Sequence, residues 1–220
     1  MDDSKRWDVI HQKTHHELKG PSIYAREREN LFPRGSLIVD LGGGTGEDAI
    51  YFLQKDHSVV LLDISDFALK IAQDKAKANN LSERLAIRKV DFGLHQLPIK
   101  DDSVDIAYSR ISLHYFESEH TIKIFQDIYK MLKTGGKAFL TFKSPEDVKE
   151  MEYLKNVAVE FEQNVYIENG QLRSRFSKEQ LENFLKQAGI NEFRVEAYQE
   201  KLANGDDSAL LLNEIVFEKR

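Results

Sequence analysis

Cysteine is absent from this sequence of 220 residues, and tryptophan occurs only once. Without cysteine the chain has no disulfide framework, no thiolate metal site and no cysteine nucleophile. It also lacks any run of about eighteen apolar residues, so no helix is expected to span a membrane. Residues 1–13 lack the apolar segment of a secretory signal, and the expected location is therefore cytoplasmic.

The chain also has no excess of basic residues. It contains 31 lysines and arginines and 37 acidic residues, which gives a formal charge of −6. A general nucleic-acid-binding protein usually carries a basic stripe. The densest basic segments, YAREREN and QLRSRFSK, alternate with acids or extend over only a few positions, and we interpret them as solvated faces. We therefore expect no nucleic acid and no membrane as a partner. The length fits a single domain over residues 1–220, expected to be a monomer or a homodimer.

The apolar periodicity alternates between strand and helix over the first two thirds of the chain. Strands are predicted at 36–41, 58–64, 85–91, 103–110 and 136–143. Helices are predicted at 46–56, 65–80 and 119–133, the last of them closed by Gly135 and Gly136. Strands separated by helices of this length favour parallel βαβ units in an α/β fold with a doubly wound sheet.

The segment after residue 145 has a different pattern. A helix near 146–161 precedes two short alternating runs around Asn169 and Gly170, a dipeptide typical of a two-residue hairpin turn. Ser177 is the predicted N-cap of the next helix, and Gly189 ends it.

Both ends of the chain add elements to this sheet. Segments 192–202 and 208–220 are predicted to pair antiparallel around an exposed loop at 203–207. At the other end, residues 3–31 are predicted to form two helical pieces broken at Gly20-Pro21. A leading helix that crosses the strand ends would cover a ligand site there.

The segment VDLGGGTG joins the first predicted strand to its helix in the pattern D-x-G-x-G-x-G, formed by Asp40, Gly42, Gly44 and Gly46. Glycine allows a tight turn and lets a ligand approach the backbone without a Cβ in the way. Ligands of doubly wound sheets bind at the carboxyl ends of the strands. This loop is therefore a candidate binding site, with a tight turn that binds nothing as the alternative.

Two further acids end the neighbouring strands. Asp63 ends the second strand, 23 residues after Asp40, and a carboxylate there can accept hydrogen bonds from both hydroxyls of a ribose. Asp91 ends the third strand and suits an adenine amino group, while the next residue, Phe92, suits the face of the ring. A helix or turn cap is the alternative for Asp91.

The spacing of the glycines distinguishes between classes of nucleotide. Nicotinamide-binding loops have the pattern G-x-G-x-x-G, because a pyrophosphate binds at the N-terminus of the following helix. In this chain the third glycine comes one residue sooner, and Glu47 and Asp48 occupy the first helical turn. These carboxylates would repel a pyrophosphate and favour a cationic group, and a P-loop is excluded because G-K-[ST] does not occur. S-adenosylmethionine, an adenosine with a positive charge, is the indicated ligand, and a nicotinamide oxidoreductase is a distant alternative.

The chain resembles the class I S-adenosylmethionine-dependent methyltransferases over residues 36–143. VDLGGGTG is similar to the first motif of that family, LLDIS to its ribose-binding segment, VDFGLHQLPIKDDSVDIAYSRISLHYF to its third and fourth motifs, and MLKTGGKAFLTF to its fifth strand. The resemblance implies a Rossmann-like sheet of seven strands with an antiparallel pair at its C-terminal end. NGQLRSRFSKEQLENFLKQAGI resembles, more loosely, the small-molecule tellurite-resistance and thiopurine methyltransferases. The expected division is a lid at 1–31, a donor-binding core at 36–143 and a substrate side at 144–220.

The resemblance also implies a set of cofactor-binding residues: Asp40, Gly42, Gly44, Gly46, Asp63, Ile64, Asp91, Phe92 and Ser109. The first two glycines would approach the methionyl part of the donor, and the acid before them would hold its amino group. The second acid would bind the ribose, and the third would bind the adenine. Ser109 and its neighbour Arg110 would lie under the sulfonium and face the acceptor.

Methyl transfer is an in-line displacement, for which the enzyme mainly aligns the donor and the acceptor. A general base is needed only if the acceptor is protonated. His114, just beyond the fourth strand, is predicted to act on the acceptor together with Arg110, because histidine titrates near neutral pH. A histidine that only packs against the next helix is the alternative, and Tyr115 is expected to form a wall of the substrate site.

Three more side chains are predicted to contact the substrate, namely Trp7 and Tyr24 from the lid and Arg175 from the hairpin. Arg175, or Arg173 beside it, would orient an anionic acceptor, with an exposed hairpin arginine as the alternative. His11 and His15 have an i, i+4 spacing that could hold a metal, but the sequence indicates no third ligand. No metal site is predicted.

The sequence therefore predicts an enzyme that transfers a methyl group from S-adenosyl-L-methionine to a small-molecule acceptor. Methylation of amino groups in nucleic acids is not favoured, because YSRI stands where those enzymes have N/D-P-P-Y/F. Two alternatives stay open. One is a non-catalytic S-adenosylmethionine-binding sensor or partner protein, and the other is a methyltransferase that acts on protein or RNA.

Overall fold

The computed structural model describes residues 2–15, 20–201 and 209–220, so the loop predicted at 203–207 lies outside the described residues. The helices are α1 (Asp3–Thr14), α2 (Ile23–Glu29), α3 (Glu47–Gln54), α4 (Asp66–Ala78), α5 (Ser118–Met131), α6 (Val148–Val157) and α7 (Lys178–Gln187). The strands are β1 (Leu37–Leu41), β2 (Ser58–Asp63), β3 (Leu85–Lys89), β4 (Val104–Arg110), β5 (Leu132–Lys143), β6 (Val159–Glu162), β7 (Val165–Glu168), β8 (Gln171–Ser174), β9 (Phe193–Lys201) and β10 (Ala209–Glu218).

Seven strands form one sheet in the order β3-β2-β1-β4-β5-β10-β9, and a second, antiparallel sheet has the order β6-β7-β8. In the large sheet, β10 runs antiparallel to β5 and β9, whereas the pairs from β3 to β5 are parallel. The strand order reverses between β1 and β4, which is where ligands bind in sheets of this kind. The predicted α/β class, the doubly wound sheet and the final antiparallel pair are confirmed.

Both faces of the large sheet are covered, which explains the continuous apolar runs in its central strands. In β1, Val39 and Leu41 belong to a core shared with α5 and α7. Ile38, which precedes Val39, belongs to a second core shared with α2, α3 and α4. Successive side chains of this strand therefore pack against helices on opposite faces of the sheet.

The junction between α5 and β5 differs from the prediction. The helix ends at Met131 and the strand begins at the next residue, so Gly135 and Gly136 lie inside the strand and do not close the helix. The register of β5 against β4 shifts immediately after Val104, and a Cβ on Gly136 would lie 2.9 Å from the carbonyl oxygen of Val104. The glycines therefore allow a bulge at the start of the strand.

The helix predicted near 146–161 is too long. α6 ends at Val157, and Val159–Glu162 forms β6, which pairs with β7. The alternating sequence VEFE satisfies its backbone hydrogen bonds against a neighbouring strand, and that pairing outweighs continuation of the helix. The hairpin between β7 and β8 is confirmed, with Asn169 and Gly170 at φ values of 50° and 74°.

The predicted helix caps are also found. Ser65 Oγ accepts the Ala68 N–H at the start of α4. Ser177 and Gln180 form a reciprocal capping box at the start of α7, and Gly189 follows that helix with φ 83°.

Two helices precede β1 within the described residues, as predicted. The N-terminus of α2 is held because Asp48 of α3 accepts hydrogen bonds from the N–H and the hydroxyl of Ser22, at 2.6 and 2.8 Å. The end of α2 is held by Arg28, which donates two hydrogen bonds to Glu214 of β10. In contrast, α1 has no buried residue. None of the described helices has the length and apolar content needed to cross a lipid bilayer.

Candidate functional site

A cavity of about 210 Å³ lies at the carboxyl ends of β1, β2 and β4. It is covered by α1 and by the β7–β8 hairpin. Its walls are formed by Asp3, Trp7, His11, Gly42, Asp63, Ile64, Val90, Asp91, Phe92, Ile111, Ser112, Tyr115, Phe116 and Gln171. The cavity therefore brings together residues from the glycine loop, from the ends of the strands and from the N-terminal helix.

The glycine loop has left-handed backbone at Gly42, Gly44 and Gly46, with φ values of 72°, 54° and 81°. A Cβ on Gly42 would collide with the side chain of Ser112, and a Cβ on Gly44 would lie 3.0 Å from the imidazole of His11. At these two positions a residue with a Cβ would therefore not fit without a shift of its neighbour, and Gly42 also lines the cavity. Gly46 does not line the cavity. Glycine is needed there for packing, because a Cβ would lie 2.8 Å from Ala72 of α4.

Asp63 presents a fixed carboxylate to the cavity. Its Oδ2 accepts the Gly44 N–H and its Oδ1 accepts the Ser65 N–H, both at 2.9 Å. Burial raises the pKa of this carboxyl, while the backbone hydrogen bonds and the nearby His11 oppose that rise. The two N–H bonds hold the carboxylate beside the glycine loop without any salt bridge to a lysine or arginine in the described residues.

Asp40 lies beneath the loop and does not line the cavity. Its carboxyl is almost completely buried, and its Oδ2 has no hydrogen-bond partner. Burial, followed by the charges of Asp48, Asp63 and Glu47, raises its pKa well above the usual range.

The two acids that begin α3 point to other partners. Glu47 pairs with Lys75 of α4 and accepts the hydroxyl of Thr45. Asp48 accepts the Tyr108 hydroxyl at 2.7 Å, in addition to its bonds to α2. Neither carboxylate lines the cavity. Their positions therefore do not support the prediction that these two carboxylates repel a pyrophosphate and favour a cationic group.

Asp91 and Phe92 lie at the far end of the cavity, after β3. Asp91 Oδ1 accepts the Gly93 N–H at 2.8 Å. The carbonyl oxygen of Phe92 accepts a hydrogen bond from His120 Nε2, and the His120 ring stacks on Phe116 with centroids 5.2 Å apart. This end of the cavity is therefore apolar on its faces and carries one carboxylate at its edge.

The turn after β4 is held tightly against the glycine loop. Ser109 and Ser112 both contact the carbonyl oxygen of Leu41, at 3.0 and 2.5 Å, and their hydroxyls lie 2.6 Å apart. Ile111 has φ 54°, which is strained for a β-branched residue, and its N–H donates to Thr141 Oγ1 at 3.1 Å. Ser112 and Ile111 line the cavity, whereas the predicted Ser109 is fully buried below it.

Arg110 does not face the cavity, contrary to its predicted position. Its Nε donates to the carboxylate of Glu200 on β9 at 2.8 Å, and that carboxylate also accepts the Tyr24 N–H. Glu200 is itself almost completely buried. The ion pair therefore draws the guanidinium towards β9 and away from the site predicted for the acceptor.

His114 is buried outside the cavity wall, also contrary to its predicted position. Burial lowers its pKa well below the usual value, and the positive charges of Arg175, Lys143 and Arg173 lower it further. Its backbone carbonyl accepts the Ser174 N–H at 2.9 Å, which ties the turn to β8. The imidazole is therefore neutral near pH 7 and packs in the interior.

Replacement of His114 by Gln is expected to change the pH dependence of stability. Below about pH 6.5 the unfolded chain binds a proton on this histidine that the folded protein does not, because the folded pKa is lowered. The wild type therefore loses stability as the pH falls, by up to about 1.4 kcal/mol per pH unit from this group. Urea denaturation between about pH 7 and pH 5.5 is expected to show a shallower loss in His114→Gln. Parallel slopes for the two proteins would contradict the burial of this imidazole.

The arginines of the hairpin region are already engaged. Arg175 is buried, and it donates to Glu150 at 2.6 Å and to the Ser174 carbonyl at 2.8 Å. Arg173 donates to Glu168 at 2.9 Å, and its guanidinium lies 5.2 Å from the ring centre of Tyr115. Neither arginine lines the cavity, and Gln171 is the hairpin residue that does. The hairpin thus approaches the cavity as predicted, but with an amide and not with a cation.

Tyr24 also differs from its predicted role. It is fully buried and stacks on Tyr108 with ring centroids 5.6 Å apart, inside the core beneath α2. Since α2 packs into the sheet, α1 is the part of the described N-terminal segment that lines the cavity.

α1 spans the opening of the cavity. Its residue Asp8 accepts the Ser65 hydroxyl at 2.6 Å and the Phe67 N–H at 3.1 Å, both at the start of α4. Arg6, on the same helix, donates to the Asn169 carbonyl of the hairpin at 3.1 Å. Between these attachments, Trp7 contacts the edge of Tyr115, with ring centroids 5.1 Å apart. Trp7 and Tyr115 therefore line the cavity where the sequence predicts a substrate wall.

Several cavity residues were not predicted as part of the site: Asp3, Val90, Ile111, Ser112 and Gln171. Ser112 and Ile111 directly follow a strand that ends at the site, which is a signal that sequence inspection can use. Gln171 follows the hairpin turn, and nothing in its local pattern indicates a ligand. His11 was considered only as a metal ligand, and the described residues contain no group of three or more side chains able to hold a metal.

The comparisons with known proteins agree with this geometry. Residues 38–136 match the family model described as a methyltransferase domain. The strand order and the glycine loop at the ends of β1 and β2 are those expected from the motifs. The predicted resemblance to the class I S-adenosylmethionine-dependent methyltransferases, whose cofactor is S-adenosyl-L-methionine, is therefore confirmed over residues 38–136.

Among curated relatives, the chain is 28% identical over 116 residues to the ubiquinone/menaquinone biosynthesis C-methyltransferase UbiE of a Marinomonas species, a match covering 51% of this chain and 45% of that protein. The chain thus spans less than half the length of this relative. A chain in the complex of the Haloferax volcanii Trm112 methyltransferase activator with a putative methyltransferase has a TM-score of 0.70 at 18% identity, covering 100% of this chain and 97% of that one. The Burkholderia thailandensis 1,6-didemethyltoxoflavin-N1-methyltransferase, solved with 1,6-didemethyltoxoflavin and S-adenosylhomocysteine, has a TM-score of 0.63 at 16% identity, covering 90% and 79%. These structural similarities support the fold alone.

Two features of the cavity and one feature beneath it fit the cofactor of this family. The backbone at Gly42 lines the cavity, and neither Gly42 nor Gly44 has room for a Cβ. Asp63 offers a fixed carboxylate beside that backbone. Asp40 has a buried carboxyl oxygen without a partner directly under the loop, which is consistent with a polar group that approaches from the ligand side.

Proposed function

We propose that this protein transfers a methyl group from S-adenosylmethionine to a small molecule that binds between the strand ends, α1 and the β7–β8 hairpin. One observation carries the proposal. Asp63 presents a carboxylate to the cavity, held by two backbone N–H groups of which one belongs to the glycine loop. A pair of ribose hydroxyls is the ligand chemistry that this arrangement suits.

The donor would be held along the ends of three strands. Its ribose binds to Asp63 next to Ile64, and its adenine lies against Phe92 with Asp91 at its edge. Its methionyl part follows the backbone at Gly42 and Gly44, above the partnerless oxygen of Asp40. When bound, S-adenosylmethionine supplies a methyl carbon that its sulfonium already activates for displacement.

The acceptor would occupy the part of the cavity between the turn after β4 and α1. Trp7, Ile111 and Tyr115 give this part apolar walls, and Ser112 and Gln171 add two neutral polar groups. Among the described residues, no lysine or arginine lines the cavity. These walls support a neutral, flat acceptor more than an anionic one, and the cover formed by α1 and the hairpin supports a small molecule over a polymer.

The proposed catalysis rests on alignment and not on a dedicated base. His114 packs in the interior with a lowered pKa, and Arg110 is paired with Glu200. The titratable side chains of the cavity wall are Asp3, His11, Tyr115, Asp63 and Asp91, of which the last two would contact the donor. Holding the acceptor atom in line with the methyl group can itself lower the barrier by several kcal/mol, and an intrinsically nucleophilic acceptor needs no further proton transfer.

We further propose that α1 is the lid of this site. It is fixed at Ser65 and Phe67 on one side and at Asn169 on the other, yet it has no buried residue. Such a helix can leave and return without exposing a core, which would let the donor enter and then exclude water during transfer.

Calorimetric titration of the purified protein with S-adenosylmethionine, S-adenosylhomocysteine and NAD tests the proposal. We expect micromolar binding of both sulfur nucleotides and none of NAD. The protein would then be assayed for turnover with thiols, phenols, quinols and nitrogen heterocycles, the last two chosen from the names of the relatives. Binding without turnover on any acceptor would favour the sensor alternative. Binding of NAD alone would contradict the assignment of the glycine loop.

A further inference from the structure

We infer that His11 of α1 binds the carboxylate of the methionyl part of S-adenosylmethionine, so that the N-terminal helix is part of the donor site as well as its cover. The inference rests on the donor placement proposed above. It begins from a question of charge: the donor carries a carboxylate, and a carboxylate bound in a partly buried site needs hydrogen-bond donors or a cation.

Four of the five amides of the glycine loop, residues 42–46, already donate within the protein and are not free to meet such an anion. The Gly42 N–H donates to the Leu62 carbonyl at 2.7 Å, and the Gly43 N–H contacts the same oxygen at 3.3 Å. The Gly44 N–H donates to Asp63 at 2.9 Å, and the Gly46 N–H donates to the Gly43 carbonyl at 3.0 Å. These four amides are therefore committed to the protein itself.

The charged groups of the cavity wall leave one basic candidate. Asp3, Asp63 and Asp91 are acids, and among the described residues that line the cavity His11 is the only basic side chain. Its ring stands over Gly44, where an added Cβ would lie 3.0 Å from Cε1 and within 4 Å of both ring nitrogens. It is also close enough to Asp63 to oppose the rise of that carboxyl's pKa. An imidazole N–H is thus available at the methionyl end of the proposed donor site.

Arg6 is the nearest competitor. Its guanidinium lies 3.5 Å from the Asp3 carboxylate and donates to the Asn169 carbonyl, and one of its nitrogens is buried without a hydrogen-bond partner. It does not line the cavity, however, and it belongs to the contact between α1 and the hairpin. If His11 binds the carboxylate, substitution of His11 and substitution of Arg6 should therefore have different effects on binding.

The test compares two ligands that differ only in the carboxylate, S-adenosylmethionine and its decarboxylated analogue, by calorimetric titration. His11→Ala is expected to weaken binding of S-adenosylmethionine by roughly ten- to a hundredfold, the loss typical of a hydrogen bond to a charged group. It should leave the affinity for the decarboxylated analogue within about twofold. Gln12→Ala, an exposed neighbour on the same helix, is the matched control and should change neither affinity.

Other outcomes would overturn the inference. Equal losses for the two ligands would mean that His11 acts through the position of the helix, and no loss would remove it from the site. A carboxylate-specific loss in Arg6→Ala with none in His11→Ala would transfer the role to Arg6. A wild type that binds neither ligand would instead contradict the proposed function. Thermal unfolding of each variant is expected to match the wild type, because α1 has no buried residue.

Discussion

Asp63→Ala is expected to weaken binding of S-adenosylmethionine and S-adenosylhomocysteine by roughly ten- to a hundredfold, because each hydrogen bond from a ribose hydroxyl to a carboxylate contributes about 1.5–3 kcal/mol. The substitution also removes the acceptor of the Gly44 N–H and of the Ser65 N–H, so the glycine loop loses one of its hydrogen bonds to β2. Calorimetric titration of the purified variant measures the change for both ligands.

Asp66→Ala is the control for this prediction. This acid lies three positions further along the chain, is exposed, and pairs with Lys89 outside the cavity. It should leave the affinity unchanged within about twofold, since exposed ion pairs contribute little. Equal affinities for wild type and Asp63→Ala would remove the ribose assignment, and with it the observation on which the proposed function depends.

Removal of residues 1–20 is expected to raise the dissociation rate of S-adenosylhomocysteine by at least about tenfold. The deletion takes away α1, with Trp7 and His11 from the cavity wall and with the attachments made by Asp8 and Arg6. Loss of even one or two hydrogen bonds that hold a closed state shifts the opening equilibrium by about 1–3 kcal/mol. Stopped-flow displacement by excess S-adenosylmethionine measures the release rate.

Asp8→Asn provides a milder change at the same attachment. It keeps every cavity residue and weakens only the contact with Ser65 and Phe67. Its release rate should therefore lie between those of the wild type and the truncated protein. Release at the wild-type rate from the truncated protein would end the proposal that α1 is a lid. A faster release from Asp8→Asn than from the deletion would mean that the helix obstructs the site when it is loose.

The donor side of the cavity was predictable from the sequence because its residues are defined by local chain geometry. Glycines at three alternate positions of the loop indicate left-handed backbone, and the φ values at these positions are positive in the structure. Acids that end consecutive parallel strands must lie along one edge of the sheet. Asp63 and Asp91 therefore reach the cavity together, although they are 28 positions apart in the printed sequence.

The acceptor side was predicted less well, because there the direction of each side chain depends on partners distant in sequence. Arg110 turns away to Glu200, and Arg175 is buried against Glu150. His114 packs below Ser174, and Tyr24 enters the core against Tyr108. From the sequence alone, a charged or aromatic side chain beside a predicted site can point into the site or away from it, because its partner is not known.

The sequence by itself determined the class of fold, the order of its strands and helices apart from β6, the glycine loop and the acids beside it, since these follow from periodicity, backbone conformation and strand ends. The tertiary structure alone decided which side chains close the cavity. The pairing of Arg110 with Glu200 spans 90 positions, and the contact of Arg6 with Asn169 spans 163. Such long-range ion pairs and hydrogen bonds select one orientation among several that the local chain permits, and no pattern of neighbouring residues encodes that selection.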